Sequence, residues 1–107
     1  QSCSGIHILR IFVRKGMDFE YDQHKNRSNI IKHGIDFADA ESIFMYPMLI
    51  REDVRSDYGE QRWISIGLLK GIVVVMVFTI RRGKMRIISI RKANLKERDI
   101  YNEKVRK

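Results

Sequence analysis

The chain has 107 residues, 44% of them hydrophobic and 32% charged, with a formal net charge of +8. That balance excludes a disordered chain and leaves room for one domain with a modest core. A single cysteine, Cys3, excludes an internal disulfide and a Cys-rich metal site and fits a reducing compartment, the cytoplasm.

Residues 1–16 differ in pattern from the rest of the chain and read as an appended or upstream extension to a single domain spanning 17–107. Residues 6–13 are hydrophobic but interrupted by His7 and Arg10, and no small-residue cleavage site comes after them, so a signal peptide is not expected. An edge strand there is the alternative. Phe19 and Tyr21 alternate with acids as a short strand. Asp22 is placed to cap a helix over 23–33, and Gly34 to end it in the left-handed conformation. Asp36 caps a second helix over 37–44, whose stripe is Phe37, Ala40, Ile43 and Phe44, and Pro47 ends it. Residues 48–51 read as a strand and 52–59 as a polar loop.

Next come three strand-like runs, at 62–68, 72–80 and 85–92. Gly71 and Gly83 separate them with breaks short enough for hairpins. The middle run is nearly unbroken Val and Ile. It predicts a central strand covered on both faces, and it is too short to span a bilayer as a helix, so no membrane is expected as a partner. Asn94 caps a last helix, with Glu97 completing a capping box and Leu95, Ile100 and Tyr101 forming a thin apolar side. The order is β-α-α-β-β-β-β-α, an α+β domain with helices packed on one face of a mostly antiparallel sheet.

Charge is unevenly spread along this frame. Residues 17–56 are net acidic by three, whereas residues 81–107 carry eleven Lys or Arg against three acids. The basic end suits a polyanion partner, with a non-specific basic surface as the bland alternative. Period-two alternation places Ile64, Ile66 and Leu68 on one face, and likewise Ile88 and Ile90. If those faces meet the helices, the open face carries Trp63, Ser65, Thr79, Arg81, Ser89 and Arg91. An aromatic plate among guanidiniums suits single-stranded RNA, which needs stacking and phosphate neutralisation together. The opposite reading has Trp63 filling the core and the arginines solvated.

Chemical options are few. The histidines, His7, His24 and His33, lack metal-site spacing, and no Gly-rich phosphate loop or Ser-His-Asp grouping is present. Neither metal nor cofactor is expected. His33, at a helix C-terminus, is either a structural cap or a catalytic group. Asp57 and Glu60 precede the first hairpin strand and are within reach of the open face. A metal-free ribonuclease is feasible, because RNA brings its own nucleophile, the 2′-hydroxyl, and arginines can hold the developing phosphorane charge.

Three blocks then resemble a known family. FEYDQHKNRSNIIKHGIDFADAESIF, residues 19–44, is similar to the opening F-E-W-D-x-x-K-x-x-x-N-x-x-K-H-G-[VI]-x-F of BrnT toxins. GEQRWISIG, residues 59–67, matches their G-E-x-R-W-x-x-[IL]-G, and RIISIRKAN with LKERDIY, residues 86–101, matches R-I-I-S-A-R-[RK]-A and the subsequent E-R-x-x-Y. The resemblance implies a compact RelE-like domain and an endoribonuclease that arrests translation. It also implies neutralisation by a ribbon-helix-helix antitoxin of the BrnA kind, with DNA contacted only through the antitoxin. Carried onto matching positions, the catalytic candidates are Lys25, His33, Glu60, Arg81 and Arg91, and the RNA-binding candidates Arg62, Trp63, Arg86 and Lys92. The sequence departs from the pattern at Ile80, where the family usually has an acid, and at Met45–Tyr46–Pro47, which lacks an Asp before the proline. The competing class is a binding module that holds RNA or the antitoxin on the same face without cleaving.

Overall fold

A computed structural model describes residues 7–9, 18–54, 57 and 59–105 of the chain. In chain order the elements are β1 (His7–Leu9), β2 (Phe19–Tyr21), α1 (Gln23–His33), a 3₁₀ turn (Phe37–Asp39), α2 (Ala40–Ile43), β3 (Met48–Glu52), β4 (Arg62–Leu69), β5 (Ile72–Arg81), β6 (Lys84–Lys92) and α3 (Leu95–Lys104). The strands form one sheet in the order β1-β3-β4-β5-β6-β2, antiparallel throughout except for the parallel β2–β6 pair. The alternative reading of 6–13, an edge strand, matches β1 at His7–Leu9, which pairs with β3. The remainder of residues 1–16, and residues 55, 56 and 58 of the expected loop, lie outside the described residues.

Local chemistry sets the elements. The Asp22 carboxylate accepts from the amides of His24 and Lys25 and starts α1, and Gly34 at φ 71° closes it. The two tight hairpins turn on Lys70–Gly71 and Arg82–Gly83, with all four residues at positive φ. That is the primed-turn geometry, whose twist matches the flanking strands, and it fixes both registers. The Asn94–Glu97 capping box starts α3.

The main core lies between one face of the sheet and the layer of α1, the 3₁₀ turn and α2. It brings Phe37, Ile43 and Phe44 onto Met76, Phe78, Ile87 and Ile90. The face assignment in β4 is the reverse of the expected one. Trp63, Ser65, Gly67 and Leu69 point into this core, not away from it. The reason is Gly67. A Cβ there would lie 3.0 Å from Ile43 Cγ2, so α2 sits almost on the bare strand. Ser65, fully buried, satisfies its hydroxyl by donating to the Met76 carbonyl.

The aliphatic residues left on the other face are covered over half its length by α3, which crosses to that side. Fully buried Tyr101 anchors the helix by donating to the Pro47 carbonyl at 2.7 Å, and Leu49, Ile66, Leu68 and Val73 pack around it. Three of the four helical pieces therefore share one face, and α3 takes the other.

A β-bulge completes the arrangement. Val77 pairs with Ser89 but Phe78 pairs with Ile87, leaving Ile88 as the extra residue. Alternation slips by one across it. Ile87 and Ile90 both enter the main core, while Arg86, Ser89 and Arg91 all face the opposite way.

Candidate functional site

The face not covered by α1 and α2 is organised in rows by strand register. Arg62 lies opposite Thr79, Thr79 opposite Arg86, and Arg86 opposite Glu20, one row across four strands. Beyond it, at the β5–β6 hairpin, Arg81 is paired with Lys84. On the other side lies a row of Arg51, Ile64, Val77 and Ser89, and then one of Leu49, Ile66, Val75 and Arg91. The first two rows carry three arginines whose backbones lie within about 10 Å of one another, and α3 covers only the far end.

Glu60 ties two of these arginines together. Arg62 Nε donates to its Oε2 at 3.2 Å, while Arg81 donates from Nε and Nη2 to its Oε1 at 2.9 and 2.6 Å. The Arg81 hydrogen bonds hold the Glu60 carboxyl below the usual carboxylate value; partial burial opposes them and Arg62 reinforces them. Glu60 turns back onto the sheet because the buried Thr79 hydroxyl donates to the carbonyl of Gln61 at 2.5 Å, fixing the residue between Glu60 and β4. Arg86 Nη1 donates to Glu20 at 3.1 Å.

Farther along the face, Arg91 makes a bidentate pair with Glu97, both bonds 2.8 Å. Glu97 also accepts from the Asn94 amide, so this pair fastens the first turn of α3 to β6. The Arg91 hydrogen bonds hold the Glu97 carboxyl below its usual value, with burial opposing, and the Asn94 amide and the charge of Arg51 assist.

Among the expected site residues, the structure brings Glu60, Arg62, Arg81 and Arg86 together, with Arg91 on the same face about 13 Å along, four residues of strand away. It does not bring the others. Trp63, half-buried against the main core, is on the opposite face from Arg81 and Arg91, which corrects the expectation that they share one. Lys92 lies opposite Val74 on that same core side, near Gly34 and Ile35. Lys25 and His33 are exposed on α1, in the layer behind the sheet. His33 precedes Gly34, whose surroundings are the Leu69–Ile72 end of the sheet, the far end of β5 from Arg81.

Glu20, Thr79 as a buried brace, and Glu97 were not singled out by the sequence. Glu97 left a signal as the third residue of a capping box, and Thr79 by its alternation with Arg81, though not its bond to Gln61. Ile80, which stands where the family usually has an acid, is exposed on the core side of β5. An acid there would not face the arginine rows, so its absence leaves their complement unchanged. Among the described residues, no group of three or more His, Cys, Asp or Glu is placed to hold a metal, and no helix is long and apolar enough to cross a membrane.

Fold and site together define a small α+β protein that presents a braced set of guanidiniums on an open sheet face. The sequence model of the family described as "Ribonuclease toxin, BrnT, of type II toxin-antitoxin system" matches residues 21–97. The chain belongs to this family of ribonuclease toxins. A comparison with curated proteins returned no match.

Proposed function

We propose that the chain is a metal-independent endoribonuclease that acts in the cytoplasm, arrests translation by cutting RNA, and is held inactive by a BrnA-like ribbon-helix-helix antitoxin. Through that antitoxin alone it would meet DNA. The observation that supports the reading is the cluster of Arg62, Arg81 and Arg86 around the Thr79 row. A phosphodiester seated there receives several fixed N–H donors, which is what an attack by the neighbouring 2′-oxygen on phosphorus requires. The P–O5′ bond then breaks, leaving a 2′,3′-cyclic phosphate and a 5′-hydroxyl; the proton released by the 2′-hydroxyl goes to solvent, and the departing 5′-oxygen takes one from it. In this scheme Glu60 aligns Arg62 and Arg81, and Arg91 with Glu97 keeps α3 in place.

Cleavage of single-stranded RNA by the purified protein in excess EDTA tests the reading. Arg86→Ala should lower the rate about a hundredfold or more, the cost of losing one donor to the developing charge. Lys92→Ala, on the opposite face, should change it little. Loss of cleavage in EDTA, or an Arg86→Ala rate within threefold of the parent, refutes the scheme. RNA binding without cleavage assigns the face to a binding module.

A further inference from the structure

Beside the arginine rows a cleft of about 290 Å³ opens between the sheet and the first turns of α3. Its floor is Ile64, Ile66 and Val75, its wall Ile100, and its rim Arg51 and Lys96; Glu97 also lines it, its charge met by the bidentate pair with Arg91. Ile64, Ile66 and Ile100 are only half-buried, so α3 leaves unfilled apolar surface directly beneath it. The volume sits at the lower end of small-ligand sites, about 300 Å³. That suits one planar ring system and not a longer segment. Trp63 cannot serve the RNA as a stacking plate from this face, since it packs into the core on the other. The cleft offers an apolar floor on the arginine side of the sheet.

We infer that this cleft seats one nucleobase turned out of a single-stranded RNA whose backbone runs over Arg62 and Arg86; the inference rests on the RNA-directed reading above. Ile64 is two residues from Arg62 on the same strand and the same face, about 7 Å away. A base lowered onto Ile64 therefore leaves its own sugar-phosphate beside the arginine row. The aliphatic floor takes the flat face of the ring. The Arg51 guanidinium at the rim is planar and weakly hydrated, able to stack over the opposite face or to meet the next phosphate. Lys96 adds a second cation at the entrance. Charge and shape thus agree on an anionic, unpaired strand. A duplex would keep its bases stacked inside and have nothing to place in the cleft.

The test is binding of short 2′-O-methyl oligoribonucleotides, which lack the nucleophile and stay intact. One oligonucleotide is complete, and the others each carry an abasic site at a successive position. The parent should lose about fivefold or more in affinity at one position and little at its neighbours. Ile64→Phe, which fills the cleft, should weaken the complete oligonucleotide by a similar factor and no longer register the abasic site. Arg51→Ala, at an exposed position outside the core, should reduce the same discrimination. Uniform affinity of the parent for every abasic oligonucleotide overturns the base seat while leaving cleavage of ordinary RNA untouched. So does an Ile64→Phe protein that keeps the parent's pattern. If Ile64→Phe binds RNA normally but loses a co-expressed antitoxin, the cleft belongs to a protein segment and the inference fails. A parent that binds none of the oligonucleotides and cleaves no RNA removes the RNA reading itself.

Discussion

Glu60 is the residue whose role the geometry most sharply divides. Its carboxylate could take the proton from the 2′-hydroxyl, or it could serve only to aim Arg62 and Arg81. Three donors converge on it, the shortest at 2.6 Å from Arg81 Nη2. Those bonds hold it ionised below its usual value. A general base works best when its pKa lies near the operating pH, and is then worth about 10²–10⁴-fold in rate. A carboxylate pulled the other way by two guanidiniums is a poor acceptor, so alignment is the expected role.

Glu60→Gln separates the two. The side chain keeps its size, and its one oxygen still accepts from an arginine, while the amide repels the other. Arg81 is 51% exposed and Arg62 23%, so the first pair lies at the surface and the second is only partly buried. Their loss should cost about 1 kcal/mol of stability or less. The rate should fall by about tenfold, a fraction of the roughly 2.7–4 kcal/mol that a whole lost donor represents. Single-turnover cleavage measured from acid to neutral pH, with melting points alongside, is the assay. The acidic limb of the profile should survive in Glu60→Gln, and Glu60→Ala should be slower than Glu60→Gln. A thousandfold loss with disappearance of that limb, in a protein that melts normally, would make Glu60 the base and refute the alignment argument.

Packing and ion pairing lead to two further outcomes. Val75, 3% exposed on the central strand β5, should not tolerate Val75→Lys, because an unpaired buried ammonium costs several kcal/mol; a circular-dichroism melt unchanged from the parent would contradict the burial. Glu97 is held below the ordinary value of 4.5 in the folded protein, so the unfolded chain binds the proton more readily. Its stabilising contribution is complete above that value and is lost as pH falls through the depressed one. Glu97→Gln should therefore flatten the acid side of a plot of melting temperature against pH, and an unaltered slope would show that the Arg91 pair adds nothing.

The parts of this fold legible in the sequence are those governed by residues with strong local demands. Asp22 and Gly34 bracket α1 within one residue, because a side-chain cap and a left-handed closure need those residue types. Gly71 and Gly83 mark both hairpins. What alternation alone did not reveal was which side of β4 meets the helices. Ile64, Ile66 and Leu68 look like core residues, and Trp63, Ser65 and Gly67 do not. The outcome depends on how closely α2 approaches Gly67, a tertiary fact. Residue 88 is equally silent: no residue type at Ile88 announces a bulge, yet it reassigns Ile87 and Arg86 to opposite faces from those that strict alternation gives. The docking of α1 was also hidden. Its buried side chains are Asn26 and Asn29, not an apolar stripe, and Asn29 both donates to the Ile90 carbonyl and accepts from the Ile90 amide. That amide occupies the edge of β6 beyond the short β2 strand, where an unpaired ladder would otherwise be open to another chain.

The bulge is also what makes the candidate site possible. β6 must give the main core Met85, Ile87 and Ile90 while presenting Arg86 and Arg91 to the other side. Strict alternation cannot satisfy both demands: with Ile90 opposite Met76, Arg86 would also point inward, opposite Ile80 in the buried place that Met85 holds. Such a position would bury a guanidinium without a partner, at a cost far above what a local break in the ladder requires. One extra residue at Ile88 resolves the conflict. It brings Arg86 level with Thr79 and therefore with Arg62, across hairpins whose two-residue turns leave no slack in register. The three arginines converge because the spacing from Arg62 to Arg86 is set by those turns and that bulge. Insertion of a single residue in either hairpin would separate them, even if every side chain were retained.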